Sequence, residues 1–153
     1  MRVLVDSNVL LRMVKADDPQ HAIAEQALAW FRNQGHELVI VPQCAYEFYV
    51  VATRPIDHNG LGLEPIAALS DIEELQLLLL MIEDEEGVLE NWKELVARHT
   101  VRGKTAHDAR LAAAMRRHGM THVLTFNGSD FERYMPEVIP VSPATVLMDE
   151  FAL

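Results

Sequence analysis

Four acidic side chains occupy positions from which a metal-dependent reaction is possible. Asp6 directly follows the apolar run that opens the chain, and Glu47 and Asp108 each stand near the start of a predicted helix. Asp130 belongs to a polar cluster that follows another strand-like run. An ionised carboxylate at the end of a buried strand is costly to desolvate without a partner. We therefore expect the fold to gather these acids around a cation.

The expected cation is Mg²⁺ or Mn²⁺. Both ions take oxygen ligands, and Mg²⁺ is usually held by only a few carboxylates and keeps several waters. A water whose pKa is lowered by such an ion is a nucleophile for phosphodiester attack, and the ion neutralises charge that develops on the phosphate. Either Asp130 or Asn127 could supply the fourth ligand.

Each polar position also has a purely structural explanation. Asp6 could cap the helix that follows it, and Glu47 could lie on a solvent-exposed face or face a helix dipole. Thr105 and Asp108 have the spacing of a capping box. Asn127 begins an ordinary turn pair. The set of acids, and not any single one, favours a metal site.

Strands and helices alternate in the predicted secondary structure. Short apolar or β-branched runs predict the strands, and apolar residues at helical spacing predict the helices. The predicted strands are 2–5, 38–41, 77–82 and 122–126, and the predicted helices are 7–14, 21–33, 43–53, 64–75, 87–99 and 105–118. The apolar run 77–82 is equally compatible with a buried helix segment. Such alternation predicts a parallel sheet covered on both faces. Sites in these sheets lie at the carboxyl ends of strands, near the switch in strand order.

The composition limits the number of domains, the cysteine chemistry and the location that we expect for the chain. The chain has 153 residues, half of them hydrophobic, which is sufficient for one domain with a full core. Its single cysteine, Cys44, excludes an internal disulfide and a cluster of thiolate ligands. No signal peptide is recognisable, and the apolar run 77–82 is too short to span a bilayer. We expect one domain over residues 1–153, located in the cytoplasm.

Charge is distributed unevenly along the chain. The net charge of -10 argues against a general nucleic-acid coat protein. Residues 71–94 carry nine acids and one base, and within them 83–86 predicts a solvated acidic loop. Residues 98–118 carry six bases and one acid, Asp108. This basic segment surrounds a candidate site residue, so we expect it to hold a polynucleotide backbone.

Several stretches together resemble the PIN-domain ribonucleases. They are Val-Leu-Val-Asp-Ser-Asn at residues 3–8, Glu47 in the helix after the second strand, His107-Asp108-Ala109, and Leu-Thr-Phe-Asn-Gly-Ser-Asp-Phe at residues 124–131. Within that family the chain is most similar to VapC-type toxins of bacterial toxin–antitoxin pairs. No single stretch is specific, but their order and spacing match over nearly the whole chain.

The resemblance implies a three-layer α/β/α fold with a central parallel sheet of four or five strands. It also implies endonucleolytic cleavage of RNA that depends on Mg²⁺ or Mn²⁺, a homodimer, and inhibition by a small cognate antitoxin. The RNA contacts are then expected at Arg102, Lys104 and Arg110.

Three acids match the metal-binding and catalytic acids of the family by position: Asp6, Glu47 and Asp108. Many members carry a further acid where Asn127 stands. Asp130, three residues later, either takes over that role or leaves a site with three carboxylates and one metal ion. The side chains expected to support the ligands by hydrogen bonds are Ser7, Asn8, Thr125 and Asn127.

Two other functions are compatible with the sequence. One is a non-catalytic domain of the same fold that binds RNA or protein, which the missing acid at Asn127 and the net negative charge allow. The other is a phosphotransfer or phosphatase domain with Asp6 as nucleophile. Haloacid-dehalogenase phosphatases need a second acid two residues later, and Asn8 stands there.

Overall fold

Five parallel strands form one sheet in the computed structural model, which describes residues 1–148. The strands are β1 (Arg2–Val5), β2 (Glu37–Ile40), β3 (Leu80–Met81), β4 (His122–Leu124) and β5 (Ile139–Val141). The helices are α1 (Ser7–Val14), α2 (His21–Asn33), α3 (Pro42–Thr53), α4 (Pro65–Leu78), α5 (Val88–Arg98), α6 (Ala106–Arg117) and α7 (Pro143–Leu147). Short 3₁₀ turns occupy Ile56–His58, Gly103–Thr105, Gly128–Asp130 and Glu132–Tyr134.

The strand order is β3-β2-β1-β4-β5, and every neighbouring pair is parallel. The chain runs outward from β1 through β2 to β3 and then crosses back to β4 on the other side of β1. The order therefore reverses between β1 and β4, where Val5 pairs with Leu124 and the Asp6 N–H donates to the Leu124 carbonyl at 3.0 Å. Crevices at such switch points bind ligands in open α/β sheets.

Helices cover both faces of the sheet. On one side α1 packs against α2 and α3, α3 against α4, and α2 against α7, while α5 and α6 pack together. The central strands are buried along consecutive residues, as a sheet covered on both faces requires. Their fully enclosed side chains include Val3, Leu4, Val5, Val39, Val123 and Leu124. The predicted parallel sheet between two helical layers is confirmed.

Some predicted boundaries differ from the structure. α3 begins one residue earlier than predicted, at Pro42, and Glu47 lies in its second turn, beyond the helix start. α4 continues to Leu78, because the leucine-rich run extends its helix. The predicted strand 77–82 therefore contracts to the two residues of β3.

The predicted single domain also includes residues 149–153, which lie outside the described residues. Within residues 1–148, no helix combines the length and apolar character needed to cross a membrane.

Candidate functional site

Asp6 is the most enclosed of the four acids. It directly follows β1 and is 6% exposed. Thr125 Oγ1 and Asn8 Nδ2 each donate a hydrogen bond to Asp6 Oδ2 at 2.7 Å. The Asp6 carboxylate makes no N-cap hydrogen bond to α1, so helix capping does not explain it. The structure instead holds the carboxylate at the carboxyl end of the sheet.

Asn8 and Thr125 join the segment after β1 to the segment after β4. Asn8 Nδ2 donates to Thr125 Oγ1 at 2.9 Å, and Asn8 Oδ1 accepts the Phe126 N–H at 3.1 Å. The Asn127 N–H donates to Thr125 Oγ1 at 3.0 Å. Because the two segments are tied directly, the position of Asp6 is fixed relative to β4.

Glu47 approaches Asp6 from α3. Ser7 Oγ lies 3.1 Å from Glu47 Oε2 and 3.3 Å from Asp6 Oδ1. A hydroxyl has one proton to donate, so Ser7 shares it between two acids that would otherwise face each other. Glu47 Oε1 accepts a hydrogen bond of 2.6 Å from Gln43 Nε2, one helical turn earlier.

Asp108 and Asp130 face the same cleft as Glu47. This cleft of about 760 Å³ is lined by all three acids and by Ser7, and it opens on the carboxyl edge of the sheet. Asp108 is the third residue of α6, and Asp130 ends the 3₁₀ turn that follows β4. Asn127 is exposed, and its carbonyl accepts the Asp130 N–H at 3.1 Å. The turn at Asn127 thus directs Asp130, and not Asn127, to the cleft.

The pKa values of Asp108 and Asp6 are raised above the ordinary value of an aspartate. Burial, and then the charges of Asp130, Asp6 and Glu47, raise the pKa of Asp108 to about 6. Burial and the charge of Glu47 also raise the pKa of Asp6, against the hydrogen bond from Thr125. Both pKa values are shifted upward, as expected where carboxylates lie close together without a positively charged partner.

The capping explanation for Asp108 is wrong. Thr105 Oγ1 donates to the Arg102 carbonyl at 2.8 Å and makes no capping hydrogen bond to α6. Thr105 belongs to the preceding 3₁₀ turn, which directs its hydroxyl away from the helix N-terminus.

The chemistry of the four carboxylates suits a divalent cation. None of the four carboxylates ion-pairs with a basic side chain in the described part of the chain. Oxygen donors with excess negative charge suit hard cations such as Mg²⁺ and Mn²⁺. Within residues 1–148 no three His, Cys, Asp or Glu side chains are close enough to hold one ion together. The set therefore fits an ion held by few carboxylates and several waters, not an all-protein cage.

A family model for the PIN domain matches residues 3–135 and includes all four acids. The chain belongs to the PIN-domain family. No curated protein sequence matches it significantly.

Solved structures with this PIN fold include three named for VapBC or VapC. VapBC-1 from nontypeable Haemophilus influenzae has a TM-score of 0.69 at 14% identity, covering 94% of this chain and 99% of that one. VapBC2 from Rickettsia felis, bound to a promoter DNA fragment, has a TM-score of 0.68 at 14% identity, with coverages of 93% and 98%. Mycobacterium tuberculosis VapC20, described as a Sarcin-Ricin loop cleaving toxin, has a TM-score of 0.65 at 18% identity, with coverages of 89% and 98%. These similarities confirm the α/β/α fold.

The basic segment of this PIN domain is more neutral than its sequence suggests. Four of its six bases form ion pairs with acids: Arg98 with Glu137, Arg110 with Asp84, Arg116 with Glu94 and Arg117 with Glu85. The predicted solvated loop at 83–86 is therefore held against α6. Of the three predicted RNA contacts, Lys104 is exposed and lines the cleft, and Arg102 is exposed outside it. Arg110 also lines the cleft, and its guanidinium donates to Gln43 and to Asp84.

Sequence reasoning missed several residues that line the cleft. Tyr46 and Val50 are 66% and 55% exposed on its α3 side, and Arg54 follows one turn later. Gln43 is buried beside Glu47. The available signal for Tyr46 and Val50 was their spacing of four residues, which places them on one face of α3, and Arg54 continues the same spacing just beyond the helix end.

Proposed function

We propose that this PIN domain is a metal-dependent endoribonuclease that hydrolyses RNA phosphodiester bonds and is the toxin of a toxin–antitoxin pair. The observation that carries the proposal is the concentration of four carboxylates at the switch point of the sheet, with no basic side chain paired to them in residues 1–148. Such a site is suited to a cation and an attacking water, because opposing charge must be supplied from outside the chain.

Asp6, Glu47, Asp108 and Asp130 are proposed to surround Mg²⁺ or Mn²⁺, at most two of them as direct ligands and the others through water molecules of the ion. A cation bound there eases deprotonation of the attacking water and offsets charge that develops on the phosphate. Ser7 keeps two of the acids close by sharing its hydroxyl proton. Asn8 and Thr125 hold the Asp6 carboxylate in place, and the turn at Asn127 presents Asp130.

The substrate is proposed to lie along the cleft between α3 and α6. Tyr46 offers an exposed aromatic face on which a base can stack, and such stacking tolerates many sequences. Arg54 and Lys104, on the same cleft, are placed to contact phosphates, with Arg102 beyond its rim. These cations attract the RNA backbone although the whole chain is negatively charged.

A small cognate antitoxin is the proposed partner. Exposed apolar side chains on α4 support it, because Ile66 is 81% and Leu77 85% exposed, and such residues are unfavourable in a surface that stays bare. We also propose that the protein forms a homodimer and is located in the cytoplasm. The mass of the purified chain by light scattering tests the dimer, and a small reading frame upstream tests the antitoxin.

The function is tested by replacing two acids separately. We expect Asp6→Asn and Asp108→Asn each to reduce Mg²⁺-dependent RNA cleavage by roughly 100-fold or more, since even residues that only support metal ligands contribute 10- to 100-fold. Asp57→Asn, which changes a side chain that is 81% exposed, is the matched control and retains cleavage. Circular dichroism establishes that each variant is folded.

Two results would contradict the proposal. Cleavage by both folded variants at the wild-type rate excludes a catalytic role for the acids. RNA binding by the wild type with neither cleavage nor metal dependence favours the non-catalytic binding domain instead.

A further inference from the structure

Gln43 is a buried amide between two elements of the cleft. It lies in the first turn of α3 and is 5% exposed. Its Nε2 donates to Glu47 Oε1 at 2.6 Å and to the His107 carbonyl at 2.8 Å. His107 immediately precedes Asp108, so one amide group connects the Glu47 carboxylate with the backbone that carries the acid on α6.

The orientation of this amide is fixed by its partners. Both partners of Nε2 are acceptors, and the Gln43 Oε1 accepts a hydrogen bond of 3.0 Å from Arg110 Nη1. A flipped amide would place its oxygen against a carboxylate and a carbonyl, and its nitrogen against a guanidinium. Three partners therefore enforce a single orientation.

Asp84 in turn holds the Arg110 guanidinium. Its Nη2 lies 2.5 Å from Asp84 Oδ2, in the loop that follows β3. The Arg110 and Asp84 side chains are 32% and 36% exposed, so the pair is partly shielded from water. We call the three residues Gln43, Arg110 and Asp84 the Gln43 bridge.

We propose that the Gln43 bridge is a positioning device that fixes the Glu47 carboxylate relative to Asp108 and so sets the affinity of the cleft for a divalent cation. This inference rests on the proposed metal-dependent function. It assigns Arg110 a role in orienting Gln43, where the sequence predicted a contact with RNA. Gln43 acts through Glu47 and does not itself bind the ion.

The chemistry of the position favours glutamine specifically. Glutamate would place a further negative charge against Glu47 and the His107 carbonyl, and lysine would face the Arg110 guanidinium without accepting its hydrogen bond. Methionine has a similar shape and fills the buried space, but it cannot donate to the two acceptors. Gln43→Met thus removes the hydrogen bonds and leaves the packing nearly unchanged.

The test is a Mn²⁺ titration followed by the electron paramagnetic resonance signal of free Mn²⁺, which needs no cleavage. The variants are Gln43→Met and Arg110→Met, and the matched control is Arg116→Met, which removes an arginine of the same helix paired with Glu94 at 3.0 Å. We expect Gln43→Met to weaken Mn²⁺ binding about tenfold or more, in the range of other residues that orient metal ligands. Arg110→Met weakens it less, and Arg116→Met leaves it unchanged.

A double variant separates positioning from general loss of stability. In the Gln43→Met background Arg110 has no amide to orient, so adding Arg110→Met should weaken Mn²⁺ binding no further. Thermal unfolding establishes that each variant is folded at the temperature of the titration. Additive losses in the double variant, or wild-type Mn²⁺ affinity in folded Gln43→Met, would overturn the inference.

The Mn²⁺ titration distinguishes failure of the proposed metal site from failure of the Gln43 bridge. If the wild type does not bind Mn²⁺, or binds it no better than Asp108→Asn, the proposed metal site fails and the bridge fails with it. If the wild type binds Mn²⁺ through Asp108 and Gln43→Met binds it equally well, only the bridge is rejected.

Discussion

The ionised form of Asp108 is unfavourable in the cleft. Burial and three neighbouring acids raise its pKa to about 6, whereas an unfolded aspartate has a value near 3.8. The folded chain therefore binds this proton more tightly than the unfolded chain, and the associated stability is lost as the pH rises through about 6. At neutral pH without a cation, the ionised carboxylate destabilises the fold.

Asp108→Asn should consequently stabilise the metal-free protein at pH 7.5. We expect a gain of about 1 kcal/mol, below the full value of the pKa shift because the side chain is partly solvated. The gain should shrink towards pH 4, where the wild-type carboxyl is protonated in the folded state. Urea unfolding in EDTA at both pH values measures it. Asp57→Asn is the control, and a gain independent of pH would contradict the electrostatic explanation.

The four acids of the site could be identified from the sequence, but the residues that connect them by hydrogen bonds could not. Asp6 and Asp108 were identifiable because a strand end and a helix start are readable from hydrophobic pattern alone. Gln43 was not, because its importance depends on Glu47, His107 and Arg110, which three different segments bring together. Arg110 was assigned to RNA for the same reason, since its acidic partner lies 26 residues away in the sequence.

At the scale of elements, the segment after β4 decides which side chain is the fourth acid. Its 3₁₀ turn is closed by the hydrogen bond from the Asp130 N–H to the Asn127 carbonyl. Asp130 lines the cleft, and after burial its charge contributes most to the raised pKa of Asp108. We therefore propose that the turn compensates for the amide at Asn127, a position where the family resemblance implies an acid in many members.

Replacing the two residues separately tests this division of roles. Asp130→Asn should weaken Mn²⁺ binding about tenfold, in the range seen when the surroundings of a metal site are altered. Asn127→Ala should leave binding within about twofold, because the two hydrogen bonds of Asn127 are made by its backbone. A larger loss for Asn127→Ala than for Asp130→Asn in the same titration would reverse the assignment.

The edges of the sheet were predicted least well from the sequence, since β5 was missed and β3 was predicted too long. β5 is a three-residue strand with Pro140 at its centre, a pattern that argues against a strand unless it lies at an edge. β3, at the other edge, has two residues and directly follows a leucine-rich helix. Neither edge strand has enough residues to show a period, whereas β1 and β4, which hold the site, are bounded by clear polar residues.

At the scale of the whole molecule, charge is arranged to leave the cleft uncompensated. The net charge is -10, yet four bases of residues 98–118 are paired with acids outside the cleft. Exposed pairs of this kind contribute little stability each, but they pair those arginines with acids other than the four carboxylates, even though Arg110 itself lines the cleft. The remaining cations near the cleft, Lys104 and Arg54, lie on its lining and not against the carboxylates.

A bound cation should therefore stabilise the whole fold. A ligand that binds only the folded state at 100 times its dissociation constant adds about 2.7 kcal/mol, which for a chain of this size raises the unfolding temperature by roughly 5 to 10 °C. We expect that rise for the wild type in Mg²⁺ by scanning calorimetry. KCl at equal ionic strength is the essential control, because any salt relieves repulsion in a chain of such negative charge. The unfolding temperature of Asp108→Asn should rise equally in Mg²⁺ and in KCl. If the wild type also shows equal rises in the two salts, it has no specific cation site.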